Sequence, residues 1–160
     1  MDRNRIAALT AEIRAQFRLM ERVNIKLGAR VEDGLDTPAQ LESVAYQIHN
    51  LYCAVEDLLK LVASAFENNI GSSGGWHQVL LLRMSQPVEG IRPAFLSEPT
   101  LDVMNRLRNF RHMFRHAYGT DIELDQLRSN LVAGQKLYDL IAQDIDNFLS
   151  QLTSAEDTDE

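Results

Sequence analysis

Apolar residues return every three or four positions along almost the whole chain, and that periodicity commits it to α-helix. The clearest run is Leu41, Val44, Ile48, Leu51, Val55, Leu58, Val62 and Ala65. Its steps alternate between three and four, the spacing with which a helix presents one stripe to its neighbours in a bundle. A similar stripe, Ile6, Leu9, Ile13, Met20, Val23 and Leu27, marks a helix over residues 3–30, weakened at its end by Gly28 and by Glu32, Asp33 and Gly34. No segment makes a convincing strand. A domain of 160 residues buries roughly 70% of its unfolded surface, so it needs no disulfide or metal to hold a core. Cys53 is the only cysteine and reads as a small buried hydrophobe.

Turn and cap signals divide the helices. Thr37-Pro38-Ala39-Gln40 combines a capping box with proline at the first helical position and opens the second helix. Residues 68–75, Asn-Asn-Ile-Gly-Ser-Ser-Gly-Gly, read as a loop. A short helix over 75–85 follows, then an irregular stretch through Pro87, Gly90, Pro93 and Pro99. A fourth helix starts near Ser97 or Thr100 and is expected to stop at Gly119 in the left-handed conformation glycine favours after a helix. Thr120-Asp121-Ile122-Glu123 reads as another capping box, opening a last helix with Leu124, Leu127, Leu131, Tyr138, Ile141, Ile145, Phe148 and Leu152 on its stripe. The expected fold is all-α, an antiparallel bundle of about five helices over residues 1–152, with an acidic disordered tail over 153–160. The N-terminus, Met1-Asp2-Arg3-Asn4-Arg5, leads into amphipathic rather than signal-like sequence. No stretch approaches the ~20 apolar residues of a membrane span. The expected setting is therefore cytoplasmic, with no membrane role.

The formal net charge is −7, which disfavours general nucleic-acid binding and makes the local distribution of charge decisive. Between Val103 and Tyr118 there are four arginines, two histidines and no acid. With each residue turned about 100° around a helix, Tyr118, Arg111, Arg115, Arg108, His112 and His116 fall in that order within an arc of about 160°. Val103, Leu107, Phe110, Phe114 and Ala117 fall on the other side. One side packs and the other carries every group able to bind or cleave a phosphodiester.

The run Arg111-His112-Met113-Phe114-Arg115-His116-Ala117-Tyr118 resembles the signature of HEPN ribonucleases, and the final tyrosine makes it similar to the HepT subset, R-x4-H-x-Y. The wider string over 110–119, with Trp76-His77 and Ile91-Arg92-Pro93 upstream, also resembles the HepT-like branch. The helix layout fits over nearly the whole chain, whereas the sharp motif covers eight residues. The resemblance implies a HEPN-like fold and a metal-independent ribonuclease toxin without cofactor. It also implies a homodimer in which motif residues of both protomers line one cleft, and a cognate nucleotidyltransferase antitoxin that transfers AMP to Tyr118. Cellular RNA is then the substrate class, with tRNA suggested by resemblance alone.

The residues suit that chemistry. RNA carries its own nucleophile in the 2′-OH, so cleavage needs proton transfer and charge neutralisation rather than a metal. His116, matching the motif histidine, can move protons near neutral pH. Arg111 can fork onto phosphate oxygens and stabilise the charge that grows there. Arg108, His112 and Arg115 are the candidate RNA-binding residues, against the plain alternative of a solvated face, which is the reading for Arg106. His112 and His116 could form one edge of a metal site, but no third ligand is apparent, so no metal is expected. His49 and His77 carry no motif and default to structural roles, and Trp76 reads as a core or interface anchor. Arg111 and His116 stand about 140° apart on a regular helix, so either the last turn distorts or a second copy completes the site. The alternative function is a non-catalytic HEPN dimer that binds nucleotides or a partner, and a third is a helical scaffold with no RNA role.

Overall fold

The computed structural model describes residues 3–66 and 74–157, with the side chains of 155–157 excepted. Five helices make an all-α bundle: α1 (Arg3–Glu32), α2 (Pro38–Phe66), α3 (Trp76–Met84), α4 (Glu98–His116) and α5 (Leu124–Asp157). Among the described residues the one β-type contact is an isolated bridge between Val88 and Arg92.

The hairpin of α1 and α2 is set by its turn. Gly34 adopts φ 112°, a conformation that L side chains rarely take. A Cβ there would also press on the Gln40 amide, 3.1 Å away. Gln40 then closes the turn: its Nε2 donates to Asp33 O at 2.7 Å, and its Oε1 accepts from Thr37 N at 3.1 Å while Thr37 Oγ1 accepts from Gln40 N. This is the reciprocal capping box read from the sequence. The chain reverses, so Leu9, Ile13, Met20 and Leu27 of α1 pack down the length of α2. The Gln16 amide donates to Ala54 O at 2.9 Å across that interface.

Helix α2 is the centre of the bundle and touches each of the other four helices. Its long apolar stripe is buried from Val44 to Val62, and its burial extends around the helix to Tyr52 and Glu56. Helix α5 closes the bundle against α1, where Phe17 stacks on Tyr138 at 5.0 Å and Arg14 pairs with Asp146 at 2.8 Å. That exposed ion pair contributes little by itself.

The irregular segment between α3 and α4 is part of the core. Phe95 and Leu96 are buried, and their backbone N–H groups both donate to Met84 O, at 2.9 and 3.0 Å. Arg92, itself buried, donates to the carbonyls of Arg83, Gln86 and Pro93 and satisfies the end of α3. Ser97 N donates to the buried Asp144 carboxylate of α5 at 3.1 Å, which fixes where α4 starts, with Pro99 in its first turn.

Three sequence expectations are corrected. Helix α4 stops at His116, its cap Ala117 has negative φ, and Gly119 is not left-handed. Beyond Phe114 the turn carries Arg115 and His116, both exposed, so no core contact rewards its extension. The last helix begins at Leu124 rather than after Thr120, with Leu127 N bonded to Glu123 O at 3.0 Å. Ile122 packs against the core in non-helical backbone, which displaces the helix start from the Thr120 box. The helix also continues through residues 153–157 of the segment assigned to a disordered tail, so the helical domain reaches past 152. Residues 158–160 and the loop over 67–73 lie outside the described residues. No helix among the described residues is long and apolar enough to cross a membrane.

Candidate active site

Helix α4 buries Thr100, Met104, Leu107 and Phe110 and keeps Val103 and Phe114 partly buried, as a one-sided apolar stripe requires. Its basic residues do not form one uniform exposed face. They divide into an outer group at the helix end and an inner pair leaning on α2.

The outer group is His112, Arg115, His116 and Tyr118. His112 and His116, one turn apart, hold their rings 4.6 Å apart, and His116 meets the Tyr118 ring edge-on at 6.5 Å. All four are exposed, Tyr118 at 92% of its surface. The two imidazoles, next to a guanidinium, present proton donors and acceptors to whatever approaches the end of α4.

The inner pair is Arg108 and Arg111, both half-buried. On the helical wheel Arg111 borders Leu107 and Phe114, so α2 covers that edge. Its Nε is buried without a hydrogen-bond partner. The facing surface of α2 consists of His49, Tyr52, Cys53 and Glu56, spaced i, i+3, i+4, i+7 and therefore on one side of that helix. His49 packs its ring against Phe114 at 5.5 Å, and the Cys53 thiol lies 3.7 Å from His49 Nε2. The Tyr52 hydroxyl donates to Glu56 Oε2 at 2.9 Å, and His77 Nδ1 on α3 donates to the same oxygen. Glu56 is 2% exposed and Tyr52 fully buried.

The charges on this surface leave their mark on its titrations. Burial, followed by the positive fields of Arg111 and Arg115, pushes the His49 pKa down, with Glu56 opposing. The ring is therefore neutral at neutral pH. Burial pushes the Cys53 thiol up against the opposing pull of Arg111, which makes it a poor nucleophile. Burial and then the Glu56 carboxylate push the Tyr52 phenol up, so it stays a hydrogen-bond donor.

The six residues selected from the sequence thus gather on α4 and just past its end, but Arg111 and His116 are placed differently: one against α2, the other in the open. His49, Tyr52, Cys53, Glu56 and His77 form a polar cluster that motif reading passed over. Its signal was the polar stripe of α2, which has the same spacing as a solvated face. Trp76 is partly buried, tilted over His77 at 3.8 Å and faced by Lys60 Nζ at 4.5 Å, an anchoring role. Arg106 is exposed and bonds Ser129 on α5. Among the described residues no three His, Cys, Asp or Glu side chains are grouped to hold a metal ion.

Comparison with known proteins places the chain in a family. A model described as HepT-like protein matches residues 43–152, more than half of the chain, including most of α2, the whole of α3 and α4 and most of α5. No curated protein and no solved structure matches the chain.

Proposed function

The chain belongs to the HepT-like family of HEPN proteins, a family generally associated with ribonuclease toxins, and on that premise we propose that it is a metal-independent endoribonuclease toxin. The observation that carries the reading is the end of α4. Two imidazoles, a guanidinium and an open phenol converge there, beside an arginine held against the core, in a protein of net charge −7.

In this reading Arg111 grips the scissile phosphate and stabilises the charge that develops on its oxygens. His116 transfers the proton that the 2′-OH loses or the 5′-oxygen gains, a role suited to an imidazole, whose ring nitrogens can both donate and accept. Arg108, Arg115 and His112 bind the RNA backbone on either side. Arg111 leans on α2 while His116 faces out, so the two are best completed by a second copy of α4 in a two-fold homodimer, where each protomer supplies what the other lacks. Two copies of this locally basic helix make a positive groove in an otherwise acidic particle.

Control follows from the same chemistry. A cognate nucleotidyltransferase antitoxin transfers AMP from ATP to the Tyr118 phenol oxygen, releasing pyrophosphate, and the added phosphate places negative charge beside Arg115 and His116 where RNA would bind. Cellular RNA, tRNA included, is the substrate class. The test is cleavage of labelled RNA in the presence of EDTA. Wild type cuts, and His116→Ala loses at least ~100-fold in rate while still binding RNA. Wild type that binds RNA without cutting it would leave instead a non-catalytic dimer that binds nucleotides or a partner.

A further inference from the structure

A second concentration of positive charge lies away from the motif. Helix α1 has seven arginines and lysines against three acidic residues, in a chain of net charge −7. Five of them, Arg14, Arg18, Arg22, Lys26 and Arg30, follow one another at intervals of four residues, and all are exposed. At about 100° per residue they wind through an arc of about 160°, centred nearly opposite the buried stripe of Leu9, Ile13, Met20 and Leu27. Between Arg14 and Arg30 that arc otherwise holds Ala15, Leu19, Ile25 and Ala29. The one acid of this stretch, Glu21, lies beside the arc and accepts the Tyr138 hydroxyl of α5 at 3.3 Å.

The fold makes little use of these charges. Arg14 pairs with Asp146 and Arg30 with Asp33, whereas Arg18, Arg22 and Lys26 have no hydrogen-bond or ion-pair partner among the described residues. Like charges four residues apart on a helix repel, so the middle of the row works against α1 rather than for it. Helix α1 packs on α2 and α5 and does not touch α4, which packs on the same two helices from the other side. The row therefore faces away from the motif helix.

A ligand for such a row must be a repeating anion. Neighbouring cations are about 6 Å apart along the helix axis, on the order of the distance between successive phosphates of a nucleic-acid strand, and the row runs for about 24 Å. An acidic protein would want an apolar anchor at the centre of its footprint. Here alanines lie between the cations, and the two exposed aliphatics, Leu19 and Ile25, stand on opposite flanks. An anionic membrane would want an apolar face to enter it, and that of α1 is buried in the bundle. We infer that the outward row of α1, centred on Arg18, Arg22 and Lys26, is a second surface for the phosphodiester backbone of RNA. It adds affinity without reading bases and touches no reacting atom. The choice of RNA as the polyanion rests on the ribonuclease reading; the surface itself rests on the geometry and charge of the row.

The probe is a labelled RNA hairpin of 2′-O-methyl nucleotides, which has no free 2′-OH and so is bound without being cut. Its binding to the full chain is followed by fluorescence anisotropy over a series of salt concentrations. Arg18→Gln/Arg22→Gln/Lys26→Gln should weaken binding about 10-fold or more and reduce the slope of log affinity against log salt by about 2–3, because three phosphates are no longer neutralised. Arg22→Gln alone should give about a third of that change in slope, and it carries the test if the triple variant fails to fold. Arg18→Lys/Arg22→Lys, which keeps the charge, should bind as the parent does. With unmodified RNA the triple variant should raise KM and leave kcat unchanged. Parental affinity and salt slope in the folded triple variant overturn the inference, whether or not the wild type cleaves RNA. A triple variant that keeps its RNA affinity but loses binding to polyglutamate or to phosphatidylserine vesicles also overturns it, and assigns the row to an acidic protein or a membrane. A wild type that binds the hairpin through the row but never cleaves RNA overturns the ribonuclease reading and leaves this surface standing.

Discussion

Phe95 offers the sharpest test of how α4 is held. It lies outside every helix, in a stretch whose prolines and glycine read as loop, yet it is 2% exposed. Its ring meets Phe148 at 5.0 Å and 67°, and Phe148, fully buried, meets Phe66 edge-on at 6.1 Å. Phe95→Ala removes that ring from a chain of three aromatics that joins the segment before α4 to α5 and α2. Truncating a buried phenylalanine costs about 3–5 kcal/mol, combining lost transfer energy with the cavity left behind. Phe95→Leu keeps most of the volume and forfeits mainly the edge-to-face contact, about 0.5–1.5 kcal/mol. At ~2–4 °C per kcal/mol for a chain of this size, Tm should fall by about 6–20 °C for alanine and by about 1–6 °C for leucine. Urea denaturation followed by circular dichroism supplies the free energies directly, with an unchanged m-value showing that the same surface unfolds. A Phe95→Ala protein within about 1 kcal/mol of the parent would refute the claim that this segment belongs to the cooperative core, since surface substitutions cluster within about 0.5 kcal/mol.

Two further outcomes are expected. Because the folded pKa of His49 lies below its unfolded value of roughly 6.5, the unfolded chain binds more protons in the window between them; stability from this residue is therefore present above the unfolded pKa and lost as pH falls toward the folded one. Urea midpoints measured from about pH 7.5 to about pH 5 should show a decline that His49→Gln reduces, and an identical decline in both proteins would show that His49 is not the group responsible. Tyr118→Phe should leave Tm unchanged, because the side chain is 92% exposed, and should escape AMP transfer by the partner nucleotidyltransferase. Intact mass after incubation with that enzyme and ATP checks this, and an AMP gain on the phenylalanine variant places the modification elsewhere.

The parts legible in the sequence are those where a single stripe decides the structure. α1, α2 and α5 each repeat apolar residues at helical spacing for about six turns or more, and a pattern sustained that long survives local exceptions such as Gly28. The Thr37–Gln40 box was legible for a different reason: its two side chains satisfy each other's backbone within four residues, so no distant contact can overrule it. The Thr120 box failed on the same criterion. Packing of the partly buried Ile122 competes with it, and a cap worth about 1 kcal/mol is small enough for the rest of the fold to decide the competition. Phe95 and Leu96 stayed hidden because two adjacent apolar residues have no period to read.

At the site the same limit applies in a more consequential form. The arc on α4 was assigned by angle alone, and angle places Arg111 at the border between the basic and apolar sides without saying which neighbour claims the border. Helix α2 does: it contributes His49, Tyr52, Cys53 and Glu56 along one face, and that face draws Arg111 inward while His116, about 140° farther around, remains outside. A motif written as R-x4-H names two residues on one helix, yet their environments differ because a second helix reaches only one of them. That asymmetry bears on the chemistry. A phosphate-gripping arginine gains from a fixed position, where little reorganisation accompanies binding. A proton-transferring histidine gains from solvent access, where protons are replenished between turnovers. Arg111 and His116 thus stand in different surroundings, and α2, which lies outside the motif, makes the difference between them.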